Sequence, residues 1–321
     1  MTEPPPAAGS RVPASITDAV TGRKVNLLDW QAANRRASWV LAAFMIALLA
    51  LIGYLLALAI DPGAAVTFMV IATLLAVGQS LAAYWFSDKL ALAVSGARPA
   101  NQAEHRYLIN VAEAVAIGAG VPTPKVYVID SPAPNAFATG RDPRHGAIAV
   151  TKGLMDLLDR QELEGVVAHE MAHVKNYDIR FASMLVATVG AIVLLRDVVM
   201  RGMRFGGRSS SSDGGGRGRA LAMILLVVVL MLAPALATLL RLAVSRRREY
   251  LADATGAYIT RNPDALASAL QKLRDYAGPP LRISESVQHM YFTNPVRRLN
   301  AAAWLATHPP IDDRISRLRR M

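Results

Sequence analysis

The chain has 321 residues, no cysteine, 53% hydrophobic side chains and a formal net charge of +11. Without cysteine there is no disulfide framework and no thiolate metal site, so any metal must be held by His and carboxylate. The apolar fraction exceeds that of ordinary soluble domains and points to membrane segments; the positive charge follows arginines and lysines gathered at their ends, and no nucleic-acid motif accompanies it, so nucleic acid is not an expected partner.

Residues 1–30 read as a disordered or loosely ordered leader, because Glu3-Pro4-Pro5-Pro6 and Gly9-Ser10 offer little to bury. It is not a cleavable signal: the first apolar run begins only at Ser38 and is too long for a signal core. Residues 31–90 read as a transmembrane hairpin. The chain is helical from Val25 into a first span, Ser38 to Ile60; Asp61-Pro62-Gly63 turns it, and Ala64 to Phe86 returns. Each run is long enough for a hydrocarbon core of roughly 30 Å. Arg35, Arg36 and Lys89 place both hairpin ends in the cytoplasm.

Residues 91–180 have mixed composition and read as the first part of a catalytic domain. Glu104 to Ala119 has helical amphipathicity, and Lys125 to Ile129 is rich in strand formers. Asn135 to Thr139 and Ala147 to Val150 are shorter strands, joined as a hairpin by Gly140 to Gly146. Thr151 caps a short helix over Gly153 to Leu158, and Arg160 and Gln161 open another. That helix carries His169-Glu170-Met171-Ala172-His173. Residues four apart share a helix face, so both imidazoles can hold one metal while Glu170 takes a proton from metal-bound water. Val166, Val167, Ala168, Met171, Ala172 and Val174 make the surroundings apolar, and polar groups placed there need partners. A metal is the partner their chemistry suggests.

Residues 181–245 contain two more apolar runs. Phe181 to Leu195 is short for a span; Ala220 to Val244 is long enough. A Ser/Gly/Arg linker joins them. If both runs span, its arginines lie outside, against the positive-inside rule. The alternative is a re-entrant pair, or one packed on the membrane face; both return the chain to the cytoplasm.

Residues 246–321 read as the second part of the catalytic domain. A catalytic zinc needs three protein ligands and one open position. Glu249 is the candidate third ligand; Asp253, one turn on, is placed to fix the tautomer of a ligating imidazole. The blander alternative is that both pair with Arg246, Arg247 and Arg248 on a solvated face.

Asn135-Ala136-Phe137-Ala138-Thr139-Gly140, His169-Glu170-x-x-His173, Ser245-Arg246-Arg247-Arg248-Glu249-x-x-x-Asp253 and His308-Pro309-Pro310 occur in that order. Together they resemble the HtpX family of membrane metalloproteases, relatives of the CAAX prenyl proteases, over nearly the whole chain. The resemblance implies a mainly α fold with a small β-sheet: a membrane-anchored, gluzincin-type metalloprotease with one Zn2+ per chain. It implies His169, His173 and Glu249 as ligands, Glu170 as base and Asp253 behind a ligand. It suggests that Asn135, Ala136, Phe137, Ala138 and Thr139 form a substrate-binding edge strand. His308 is either a donor to the developing oxyanion or a turn residue. The implied setting is the bacterial inner membrane, multi-pass, with the catalytic domain facing the cytoplasm, and the implied substrates are misfolded membrane proteins or unfolded polypeptides. A CAAX-type enzyme, a site-2-type protease and an inactive metal-binding scaffold are the competing readings. A site-2-type site would lie in an apolar span, whereas Glu162, Glu164, Lys175 and Asp178 flank this motif.

Overall fold

The computed structural model describes residues 15–17, 24–184, 201, 220, 221, 223–228, 232, 246–279, 291, 292 and 309–321. The chain divides into two compact bodies. One comprises Met1–Arg36, Ser87–Ser183 and Val244–Met321; the other comprises Ala37–Phe86 and Met184–Ala243.

In the second body the described structure is chiefly a helical hairpin. Helices α1 (Leu27–Ile60) and α2 (Ala65–Val94) meet at the turn Pro62–Ala64, where the Asp61 carboxylate accepts from the Gly63 amide at 3.0 Å. Leu28–Leu58 and Pro62–Phe86 are long and apolar enough to cross a membrane, with mean hydropathies of 2.7 and 1.9. Their outward residues are apolar too: Val40, Leu51, Val66, Leu74, Leu75 and Leu81 are exposed. Trp39 and Tyr84 stack at 5.9 Å, so the polar ends of the hairpin carry the aromatic residues that favour a membrane interface. The runs 181–195 and 220–244 and the Ser/Gly linker fall largely outside the described residues; 178–184 and 223–228 are helical.

The first body holds a four-stranded mixed sheet of order β3-β4-β6-β5, from β3 (Ala97–Pro99), β4 (Lys125–Ile129), β5 (Ala136–Gly140) and β6 (Gly146–Thr151). β5 and β6 form the expected antiparallel hairpin, and β6 runs parallel to β4. Within the stretch read as a loose leader, β1 (Ser15–Thr17) pairs with β2 (Lys24–Asn26), and α1 starts directly after it. Main-chain pairing here orders a segment that has few apolar side chains.

Helices α3 (Arg106–Ala119), α4 (Lys152–Leu157), α5 (Arg160–Lys175), α6 (Arg246–Thr260), α7 (Pro263–Asp275) and α8 (Ile311–Leu318) complete this body. The core joins Leu108 and Val115 of α3, Ile148 and Val150 of β6, Val166, Val167 and Met171 of α5, Leu251 of α6, Leu266 and Leu270 of α7 and Ile315 of α8. α5 runs through it, and its eleven buried positions include His169 and Glu170, while His173 is partly buried.

The start of α5 is fixed by a capping box. Asp159 accepts from the Gln161 and Glu162 amides at 2.9 and 3.0 Å, and Glu162 accepts from the Asp159 amide at 2.9 Å. Glu162 also accepts from Ser268 Oγ and Lys272 Nζ of α7, each at 2.6 Å. Taken from the sequence as a polar flank, it is instead buried, a charged pin between two helices. Glu162→Ala removes these bonds and leaves Ser268 without its carboxylate. It should lower stability by about 2 kcal/mol, seen as a lower melting temperature of the detergent-purified protein; an unchanged value would reduce the pin to a surface contact.

Candidate metal centre

The centre is assembled on α5. His169 and His173 sit one turn apart, and their Nε2 atoms approach to 3.1 Å. Glu249, in the first turn of α6, brings Oε2 to 3.8 Å from His169 Nε2 and Oε1 to 3.6 Å from His173 Nε2. One ligand atom from each of the three residues lies within 4.8 Å of the others. Two nitrogen ligands at roughly 2.0–2.1 Å on a tetrahedral ion stand about 3.3 Å apart, close to the Nε2 spacing here. The donor set therefore fits a divalent metal.

Close helix packing makes the approach possible. A Cβ on Gly256 of α6 would stand 3.0 Å from the His169 backbone nitrogen, and one on Gly165 of α5 would stand 3.1 Å from the Leu266 backbone. Glycine at these two points lets α6 and α7 lie against α5.

Each imidazole has its own carboxylate on the far nitrogen. His169 Nδ1 faces Asp253 Oδ1 at 2.9 Å, and His173 Nδ1 faces Asp178 Oδ2 at 3.0 Å. These contacts leave both Nε2 atoms for a metal. Asp253 is gripped by Arg314 of α8, from Nε at 2.8 Å and Nη2 at 2.7 Å. The same guanidinium lies 3.7 Å from Glu249 and over the Phe292 ring. Asp178 lies 3.2 Å from Arg248 Nε, an ion pair without hydrogen-bond alignment, and Arg248 stacks on Phe181.

The alternative of a solvated Glu249 and Asp253 facing the preceding arginines does not hold: both acids are buried, and Arg248 turns to Asp178 instead. Asp178 and Arg314 were not singled out from sequence. Arg314 had a signal, since it falls on the apolar stripe Ile311, Ile315, Leu318 of α8. Asp178, just past the helix end, had none beyond its distance from His173.

Electrostatics separates the two histidines. Burial lowers His169 to about 4, opposed by the hydrogen bond and charge of Asp253 and helped by the charges of Arg314 and His173. Burial pushes His173 the same way, but the Asp178 hydrogen bond and the charges of Glu249 and Glu170 overcome it and lift His173 to about 9. Burial raises Glu170 to about 7, helped by Glu249 and opposed by His173 and by the Ala138 amide that donates to it. A carboxylate poised there can both take and return a proton near neutral pH.

β5 is an edge strand of the sheet, as expected for 135–139, but its residues are all buried. Asn135 is tied to β6 through Thr151, donating its amide to Oγ1 at 2.8 Å. Thr139 bonds Ser183, and the Phe137 ring packs on Tyr291 at 4.9 Å. Tyr291 forms an antiparallel bridge with Phe137, and the Phe292 amide donates to Ala136 O at 2.8 Å. Asn135, Phe137 and Thr139 thus hold the sheet and core, and the outer edge is already joined at Ala136–Phe137 by the chain itself. Ala138 turns its main-chain amide to the Glu170 carboxylate. His308 lies outside the described residues.

Together, a metal-ready donor set and a buried carboxylate of raised proton affinity can split water against a carbonyl, and in a chain with two membrane-length helices they define a membrane metallopeptidase. Comparison agrees. The profile of Peptidase family M48 matches residues 102–321. Proteins described as "Protease HtpX homolog" are similar throughout: that of Dictyoglomus thermophilum is 44% identical, covering 90% of this chain and 93% of its own. That of Tropheryma whipplei is 46% identical, covering 79% and 86%, and that of Thermoanaerobacter pseudethanolicus is 41% identical, covering 92% and 98%. Among solved structures, the crystal structure of S. mikatae Ste24p gives a TM-score of 0.47 at 21% identity, covering 91% of this chain and 67% of that one. The chain belongs to peptidase family M48 and, within it, to the HtpX proteases.

The proton on His173 has a measurable consequence. A metal must displace it, so below about pH 9 metal uptake releases a proton and affinity rises with pH, by about tenfold per unit, levelling above that value. His169, with its value near 4, adds nothing at neutral pH. Calorimetry in buffers of different ionisation enthalpy reads the released proton directly; an affinity independent of pH across the neutral range would contradict this assignment.

Proposed function

We propose that the chain is a zinc-dependent endopeptidase of the bacterial inner membrane. In this reading it is multi-pass, its catalytic body faces the cytoplasm, and it cleaves misfolded membrane proteins or unfolded segments drawn from them. The observation that carries the chemistry is the convergence of His169, His173 and Glu249 on one point, with Glu170 buried beside it. The three ligand residues would hold one zinc, His/His/carboxylate being a hydrolytic zinc set. Bound there, zinc would acidify a water and polarise the scissile carbonyl.

The rest falls to the chain. Asp253 and Asp178 hold the imidazoles with Nε2 toward the metal. Glu170, fixed by the Ala138 amide, takes the proton of the attacking water and returns it to the leaving amine. β5 brings the Ala138 backbone to that base. A peptide laid along its outer edge from Ala138 onward would cross Glu170, while Tyr291 and Phe292 close the Ala136–Phe137 end. Main-chain docking reads little side-chain identity, which suits a protease acting on many unfolded sequences.

Arg35, Arg36 and Lys89 support a cytoplasmic catalytic body through the positive-inside rule. Glu249 follows the apolar run 220–244 by a few residues, which supports substrates met at the bilayer.

The decisive comparison uses the purified protein in detergent with a misfolded membrane-protein reporter. Chelation should abolish cleavage and zinc restore it. Glu170→Gln should lose roughly 10²–10⁴ in rate while still binding one zinc, because Glu170 is not a ligand. Undiminished cleavage by Glu170→Gln would leave the reading without its base.

A further inference from the structure

We propose that Asn34, near the start of α1, is a positioning residue for the metal centre, acting through Asp178 on His173. This rests on the reading of His173 as a metal ligand. Asn34 precedes the metal motif by more than a hundred residues, yet it is buried, with 4% exposure, against the turn that ends α5. Its side-chain amide donates to the Asn176 carbonyl at 2.8 Å and to Asp178 Oδ1 at 2.7 Å. The other oxygen of that carboxylate holds His173 Nδ1 at 3.0 Å. Both acceptors are oxygens without a proton to give, so the NH2 must face them, and it has two hydrogens for the two.

The turn needs such a hold. Tyr177 has φ of 61°, left-handed backbone that a large side chain rarely adopts and that surrounding contacts must maintain. α1 supplies several of them. Gln31 Nε2 donates to the Lys175 carbonyl at 3.1 Å, one turn before Asn34. Arg35 lies over the Tyr177 ring at 5.2 Å, and Arg180 lies over it at 5.1 Å. Four successive residues, Lys175 to Asp178, are thus engaged by one face of α1. Asp178 opens the helical segment that follows this turn directly, so its aim at His173 depends on the turn. Arg248 supports the same carboxylate from α6, but without hydrogen-bond alignment, which leaves the Asn34 amide as a well-directed brace.

An Asn meets the geometry where near relatives do not. Alanine would withdraw both donors. Aspartate would keep the shape and set a second carboxylate against Asp178. The expected order of harm is therefore Asn34→Asp at least equal to Asn34→Ala.

The test measures zinc affinity of the full-length protein in detergent by competition with a chromophoric chelator, alongside reporter cleavage. Asn34→Ala should weaken zinc binding about tenfold, the lower end of what loss of an outer-shell partner does, and Asp178→Asn at least as much. The double variant should be no weaker than Asp178→Asn alone, because one residue works through the other. Raised zinc should restore cleavage to Asn34→Ala, which a general loss of folding would not permit. Asn34→Asp, nearly isosteric, repeats the measurement without opening a cavity. Wild-type zinc affinity in both Asn34 variants, or a double variant whose loss is the product of the single losses, would overturn the proposal while leaving the peptidase reading intact. A wild-type chain that binds no zinc would overturn the peptidase reading and this proposal with it.

Discussion

Everything at this centre answers to one constraint, the balance of buried charge. Glu170, Glu249, Asp253 and Asp178 are all buried around two imidazoles, and among the described residues Arg314 and Arg248 bring guanidiniums to them. Among the described residues the carboxylates at this centre outnumber the guanidiniums, and burial makes such a concentration of like charge costly. An unpaired buried charge costs several kcal/mol even after relaxation. Protonation of His173 and Glu170 near neutral pH is one answer, and a divalent cation at the three ligand atoms is the other. The same concentration of buried carboxylates that favours retained protons at the donor set favours a metal there.

The polypeptide meets that constraint by bringing distant segments onto one helix. α5 contributes His169, Glu170 and His173 by spacing alone. Glu249 and Asp253 arrive on α6, Arg314 on α8, and Asn34 on α1, each more than seventy residues from the motif or from the nearest end of α5. Their convergence depends on how closely the helices approach. Gly256 sets the α6 approach at the level of His169 itself, and Gly165 sets that of α7 one turn above the motif. Glu162 then locks α5 to α7 with a charge rather than with shape. A buried carboxylate with no partner would be costly, so this pin also excludes sliding of α7 along α5, because a shift of one residue would strand Glu162.

How much of this was legible from the chain depends on range. The His169-x-x-x-His173 spacing needs only the helical repeat, so the heart of the site was readable. The strands Lys125–Ile129 and Gly146–Thr151 and the hairpin between 140 and 146 were equally local. Glu249 and Asp253 were found because they share a turn and a charge with each other. Asp178, Arg314 and Asn34 are single polar residues whose partners lie in other elements, and one residue has no periodicity. Glu162 misled for the same reason: a glutamate in the first turn of a helix is normally solvated, and only the presence of Ser268 and Lys272 on α7 makes it a buried pin. The edge strand was legible, but not that Tyr291 and Phe292 close one end of it, since that pairing joins residues some 150 positions apart.

Range also explains why two identical ligands behave differently. His169 and His173 share a helix face, a candidate metal site and a type of carboxylate partner, so their local sequence predicts equal basicity. They differ because the partners are themselves held differently. Asp253 takes two hydrogen bonds from Arg314, and burial with the charge of that guanidinium outweighs the pull of Asp253, so His169 is lowered. Asp178 is braced by a neutral amide, Asn34, with Arg248 poorly aligned, and its hydrogen bond together with the charge of Glu249 lifts His173. A neutral brace orients a carboxylate without discharging it, whereas a guanidinium does both. On that argument His173 is the more electron-rich ligand of the pair, and His169 is the more rigid one.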